Sequence, residues 1–284
     1  MTCQICPRGC NADRTVKTGV CGEKNEMRIA RYALHPYEEP IISGTNGSGT
    51  IFFSGCSLCC VFCQNYEVSR GKTGKPVSPR ELADIFKALE DQGAHNVNLV
   101  NPTHFYPQIL RALDLYRPSV PVVVNTHGYE RVETLRQIDD YVDVYLPDLK
   151  YFSPELSMRY SRAKNYFDVA SKAIAFMAQK PLVVENGLIK SGTVVRHLTL
   201  PLATSDTFRL IDWFANTIGD RAYFSLMAQY TPFGEIQDFP ELQRKITRRE
   251  YQRVQEYLQS KNLTHCFLQQ RSSASETYIP TWDF

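Results

Sequence analysis

From residue 51 onward, short apolar runs alternate with amphipathic helical stretches, and no other feature constrains the fold as tightly. The runs at residues 51–53, 96–100, 120–125, 142–146, 194–200 and 222–229 read as six strands, and 263–268 as a terminal one. Ser78-Pro79-Arg80-Glu81 is a capping box with proline at the first helical position. Leu82, Ile85, Phe86 and Leu89 follow it at i, i+3, i+4 and i+7, the stripe of a core-facing helix. Thr247-x-x-Glu250 is a second capping box, ahead of Tyr251, Val254 and Leu258. The spacing also predicts helices over 131–139 and about 166–179, and one capped at Ser205 or Asp206. Strands that are apolar throughout are covered on both faces, and strand–helix alternation gives a parallel sheet with right-handed crossovers. Pattern alone leaves an open sheet and a barrel equally available.

The first strand runs into Cys56-Ser-Leu-Cys-Cys60-Val-Phe62-Cys63-Gln64-Asn65. A Cys-x3-Cys-x2-Cys loop can hold three irons of a [4Fe–4S] cluster, which ordinarily takes four thiolates. The missing fourth ligand leaves one iron open to a substrate, as catalytic metal sites do. A competing reading pairs Cys56 with Cys59 and Cys60 with Cys63 as two zinc knuckles without a linker, so that adjacent cysteines must face one tetrahedral ion.

Cys-x3-Cys-x-aromatic-Cys after a first strand resembles the radical S-adenosylmethionine (SAM) superfamily. Gln64-Asn65 narrows the resemblance to the branch of the pyruvate formate-lyase-activating enzyme. It implies an α/β partial (β/α)6 barrel from about residue 50 to about 260. It also implies an oxidoreductase with a [4Fe–4S] cluster at Cys56, Cys60 and Cys63, and SAM chelated through its amine and carboxylate. Reductive cleavage then yields a 5′-deoxyadenosyl radical that abstracts hydrogen. An electron donor such as flavodoxin or ferredoxin is implied with it. A glycyl-radical target would be supplied in trans, because no glycyl-radical loop is recognisable in this chain.

In parallel α/β folds ligands gather at the carboxyl ends of strands. Here those ends carry Asn101-Pro-Thr-His104, Asn125-Thr-His127-Gly128, Asp148-Leu-Lys150, Arg196-His197 and Gln229-Tyr230. Asn125-Thr-His-Gly resembles the Asp-Thr-Asn-Gly turn of activating enzymes, and Asp148-Leu-Lys150 their Asp-Leu-Lys. The resemblance places both turns around the methionine moiety of SAM, and Arg196 near its ribose and carboxylate. Phe62 takes the position whose backbone approaches adenine, and Asn65 joins the cofactor-binding set. The family's Gly-Gly-Glu, which receives the SAM amine, is replaced by Asn101-Pro-Thr, so Asn101 is the substitute acceptor. Tyr230, His104 and Tyr106 are candidates to face a substrate. No residue is singled out as catalytic.

Upstream, Cys3, Cys6, Cys10 and Cys21 crowd a Pro/Gly-rich stretch without apolar periodicity. Such a segment builds no core and needs a metal to organise it, either zinc or a second iron–sulfur cluster. The expected organisation is a cysteine-rich module at 1–30, a connector at 31–50, the barrel at 51–270 and a tail at 271–284. Nine cysteines with no signal-like N-terminus fit a reducing cytoplasm, where thiols serve metals. A net charge of +2 argues against nucleic acid, and no apolar run reaches the length of a membrane span. Three functions stay open: an activase, a radical modifier of another protein, peptide or small molecule, and a non-catalytic zinc or iron–sulfur interaction protein.

Overall fold

The computed structural model describes residues 2–71 and 73–269. In chain order its elements are β1 (Arg28–His35), α1 (Pro40–Ser43), β2 (Ser48–Phe53), α2 (Tyr66–Ser69) and β3 (Lys75–Pro76). Next come α3 (Pro79–Asp91), β4 (Val97–Val100), α4 (Tyr106–Leu115), β5 (Val122–Thr126), α5 (Val132–Ile138) and β6 (Val144–Pro147). The last are α6 (Pro154–Ser161), α7 (Tyr166–Met177), β7 (Val183–Glu185), β8 (Leu188–Leu198), α8 (Thr204–Thr217), β9 (Tyr223–Met227), α9 (Arg248–Gln259) and β10 (Cys266–Leu268). The expected tail at 271–284 lies outside the described residues.

β2, β4, β5, β6, β8, β9 and β10 pair in that order, every neighbour parallel. The sheet order starts at β10 and ends at β3 with no closing pair among the described residues, so the α/β sheet forms a partial barrel. Both capping boxes form, at Ser78 with Glu81 and at Thr247 with Glu250. One expected cap does not. α8 starts at Thr204 without a side-chain cap, and the Asp206 carboxylate instead accepts from the backbone of Phe152 and Ser153. It thereby ties the start of α6 to α8.

Alternate residues of each strand face opposite ways. Leu99, Val122 and Val124 pack outward against Leu82, Phe86, Ile109 and Leu135 of the surrounding helices. Val123, Val144, Leu146 and Val194 face the lumen, where Ile41 and Ile42 of α1 meet them as an apolar floor. Residues 31–50, expected as a connector, thus carry most of β1 and all of α1. β1 pairs antiparallel with β2, and the turn after it brings Glu38 and Glu39 into the barrel. Burying large apolar side chains is worth roughly 2 kcal/mol each, so this floor anchors the segment that carries those acids. Among the described residues no helix is long and apolar enough to cross a membrane.

Candidate functional site

The strand ends converge on a cavity of about 590 Å³. That volume suits a cofactor or small ligand. Cys56, Cys60 and Cys63 line it, and Cys59 does not. Cys59 adopts a left-handed backbone (φ 53°) that turns its Sγ back onto the Cys56 carbonyl at 2.8 Å. For a residue other than glycine this conformation is uncommon. Burial pushes the Cys56 and Cys63 thiols up, and neighbouring cysteines push them further. A metal must therefore displace protons to bind there. Leu58 N donates to Cys56 Sγ at 3.4 Å, and Ser161 Oγ to Cys60 Sγ at 3.0 Å. Among the described residues no three His, Cys, Asp or Glu side chains converge tightly enough for a single ion. A zinc knuckle at Cys56, Cys59, Cys60 and Cys63 needs Cys59 as its fourth donor, and here the Cys59 Sγ is turned onto the Cys56 carbonyl.

Phe62, Asn65, Asn101, Asn125, His127, Asp148, Lys150 and Arg196 all line the same cavity. Arg196 is the hub. Its Nε donates to Asp148 Oδ1 at 3.0 Å, one amino group to Glu38 Oε2 at 3.0 Å, and the other to Asn125 Oδ1 at 2.6 Å. Lys150 Nζ donates to Asp148 Oδ2 at 2.7 Å. Burial disfavours the Asp148 charge, but Arg196 and Lys150 overrule it and hold the carboxyl below its usual range. Asp148 raises both cations in return, again against the pull of burial. A buried network of this kind survives only when its members are paired and hydrogen-bonded.

Asn101, also left-handed (φ 56°), donates through Nδ2 to the Gly55 carbonyl. Its Oδ1 is buried without a partner. A buried acceptor without a partner, on a residue that lines the cavity, can be satisfied by a ligand N–H. His127 accepts from Tyr129 N at Nδ1 and meets Ser57 Oγ through Nε2 at 2.9 Å. Burial, then the Lys150 charge, push it down to about 3. The ring is thus neutral near pH 7, with its proton on Nε2 supporting the cysteine loop. Gly128 (φ 75°) lies so close to Asp148 that an added Cβ would stand 2.3 Å from its carbonyl oxygen. The two turns are packed against each other.

Three candidate substrate-facing residues point elsewhere. His104 is buried outside the cavity, bonded to the Ser54 carbonyl at 2.6 Å. Tyr106 sits in the outer core, and Tyr230 donates to the Leu242 carbonyl while stacking edge-on with Phe62. His197 faces away from the lumen onto Leu149 and Thr207, as strand alternation requires next to Arg196. Glu38 and Glu39 are the residues that sequence reasoning missed. Glu38-Glu39-Pro40 carries the composition of a turn, and the only available signal was adjacent acids ahead of a short apolar helix.

The upstream cysteines are joined to this site. Cys56 N donates to the Cys21 carbonyl at 3.0 Å. At Gly55 (φ 81°), an added Cβ would stand 2.5 Å from that same carbonyl oxygen. Arg8, inside Cys6-Pro-Arg8-Gly-Cys10, donates to the Ser57 carbonyl at 2.7 Å and the Leu58 carbonyl at 3.0 Å. It also reaches the carbonyls of Ser161, at 2.6 Å, and Arg162. The sulfurs of Cys21 and Cys10 lie 3.3 and 3.5 Å from where a Cβ on Gly19 would stand. Cys3 and Cys6 are close enough to Cys21 for the thiols to influence one another.

Residues 50–196 match the radical SAM superfamily. An uncharacterised protein of Methanocaldococcus jannaschii is 30% identical over 271 residues, 92% of this chain and 75% of that protein. Streptococcus suis SuiB, solved with its precursor peptide SuiA, matches with a TM-score of 0.52 at 13% identity. The match covers 76% of this chain and 46% of SuiB, so the chain spans less than half of that protein. Methylornithine synthase (PylB) matches with a TM-score of 0.50 at 16% identity, over 72% of this chain and 60% of that one. At these identities the two solved structures speak for the fold alone.

Proposed function

The chain belongs to the radical SAM superfamily, and from that premise we propose that it cleaves SAM reductively at the Cys56–Cys63 loop and passes the radical to a substrate. The observation that carries this reading is the division among four neighbouring cysteines: Cys56, Cys60 and Cys63 line the cavity while Cys59 turns away. Three thiolates beside a ligand-sized cavity fit a [4Fe–4S] cluster with one open iron. When bound, the cluster supplies the electron that splits the SAM sulfonium into methionine and a 5′-deoxyadenosyl radical.

The chain's own residues would hold and orient SAM. Asn101 Oδ1 would accept from its amine, standing in for the acidic residue of related activating enzymes. Asn125, His127, Asp148 and Lys150 would fix the methionine side, and Arg196 the ribose and carboxylate. The backbone beside Phe62 would meet adenine, with Asn65 alongside. Because Asp148, Lys150 and Arg196 are already mutually bonded, they present fixed dipoles that need little reorganisation.

Cys3, Cys6, Cys10 and Cys21 would hold a second metal, zinc or an auxiliary cluster. Closing on one ion draws their sulfurs nearer than they stand here. Arg8 and the Cys21 carbonyl make that module a brace for the radical-generating loop. Glycyl-radical activation of a partner enzyme is one version of the function. Modification of another protein, a peptide or a small molecule is the other. A soluble one-electron donor of the flavodoxin or ferredoxin type would serve either in the cytoplasm. Anaerobic reconstitution with iron and sulfide, then dithionite and SAM, should release 5′-deoxyadenosine and methionine. Intact iron without either product contradicts the reading.

A further inference from the structure

The charges lining the cavity do not cancel. Among the described residues two fixed cations line it, Lys150 and Arg196, against three carboxylates, Glu38, Glu39 and Asp148. Lys150 is bonded to Asp148, and Arg196 divides its guanidinium among Asp148, Glu38 and Asn125. Glu38 gains two more donors from Asn98 and Asn125, at 3.2 and 3.0 Å. Glu39 is different. Its side chain accepts from Ser225 Oγ at 2.9 Å, and among the described residues no cation is bonded to it. Burial raises its carboxyl, the Glu38 and Asp148 charges raise it further, and Arg196 and the Ser225 hydroxyl pull the other way without overcoming burial. A half-buried carboxylate with one neutral donor is costly to keep charged unless a ligand completes it.

The other residues of the same cavity narrow that ligand. Phe52, Leu198, Met227 and Phe267 share the cavity wall, and the 56% exposed Tyr37 borders it two residues before Glu39. An apolar wall with one unmatched acid favours a hydrocarbon stem tipped with a cation. We propose that Glu39 and Ser225 form the recognition end of the substrate subsite, and that it takes an alkylammonium group of the kind carried by a lysine side chain. The proposal rests on the reading of the cavity as a SAM site. In it Glu39 is a specificity residue and has no part in binding SAM.

The test uses the full chain, reconstituted and SAM-bound, without reductant. Calorimetry compares N-acetyl-lysine methylamide with its neutral analogue N-acetyl-norleucine methylamide. The lysine compound should bind about tenfold tighter, from a charge-assisted contact in a partly dry site. Glu39→Gln should erase that preference while leaving SAM affinity and melting temperature unchanged. No binding by the lysine compound, no preference, or a preference that persists in Glu39→Gln overturns the proposal. So does weakened SAM binding in Glu39→Gln, which would assign Glu39 to the cofactor. Failure of the wild-type chain to bind SAM with its iron intact overturns the function proposed above, and this subsite with it.

Discussion

The two cysteine groups are held in place by different physics. Cys56, Cys60 and Cys63 follow β2, a strand buried along its whole length, so the sheet fixes where their loop begins. Cys3, Cys6, Cys10 and Cys21 precede every regular element, and their backbone is held by side chains from elsewhere. Arg131 Nε donates to the Cys6 carbonyl at 3.1 Å and Thr134 Oγ1 to the Ile5 carbonyl at 2.7 Å. Arg14, 2% exposed, joins the Glu23 carbonyl to that of His104. One group inherits its geometry from the fold, and the other borrows it through arginines. The borrowed group then returns the support, because Arg8 and Cys21 clamp the loop of the first.

That contrast can be broken in order of expected effect. Replacing Cys3 and Cys6 together by serine should abolish metal at the N-terminal module and lower iron at the loop, read by metal analysis of the reconstituted protein. Full iron at the loop would make the module a passenger. Arg8→Ala removes bonds to four carbonyls at roughly 1 kcal/mol each and should cost about 3 kcal/mol or more in denaturant unfolding. It should also reduce iron retention, with Arg8→Lys recovering only part of both. An unchanged unfolding midpoint would show that the clamp is slack.

Glu130 sharpens the comparison from behind, since it lies near Cys6 and bonds Thr103 and Thr126 beside the strand ends. Burial pushes its carboxyl up to about 7, against the pull of those two hydroxyls. The native chain therefore keeps a proton that the unfolded chain releases above about pH 4.3, and stability falls as pH rises from there through about 7. Glu130→Gln should abolish that loss, gaining up to about 3 kcal/mol over wild type at pH 8 and nothing at pH 4. Equal stabilities at pH 8 would mean that Glu130 ionises freely. The smallest effect belongs to a site far from both cysteine groups. Ser78→Ala breaks the α3 capping box and should cost about 1 kcal/mol with no change in iron content.

The parallel strands were legible because their β-branched runs and capping boxes are local signals, and the three-cysteine loop because its spacing is chemically specific. Asn101, Asn125, Asp148 and Arg196 were found by their positions at strand ends and Phe62 by its place in the cysteine motif, and all of them line one cavity. What was not legible depends on contacts distant in sequence. β1 is an antiparallel addition that precedes the alternating strand–helix pattern, and Glu38 reaches Arg196 across the lumen from 158 residues away. Cys59 carries the same chemistry as its neighbours, and only a left-handed backbone sets it apart. His104, Tyr106 and Tyr230 look like site residues in a list of strand ends, but burial and backbone carbonyls claim them.

The central claim is that three thiols of the loop, and not four, form the radical-generating site. Iron content after anaerobic reconstitution, compared between Cys59→Ser and Cys60→Ser, tests it most directly. The account predicts wild-type iron in Cys59→Ser and loss of the cluster in Cys60→Ser. Equal loss in both, with zinc recovered from the wild-type chain, would contradict it and return the loop to a four-thiol knuckle.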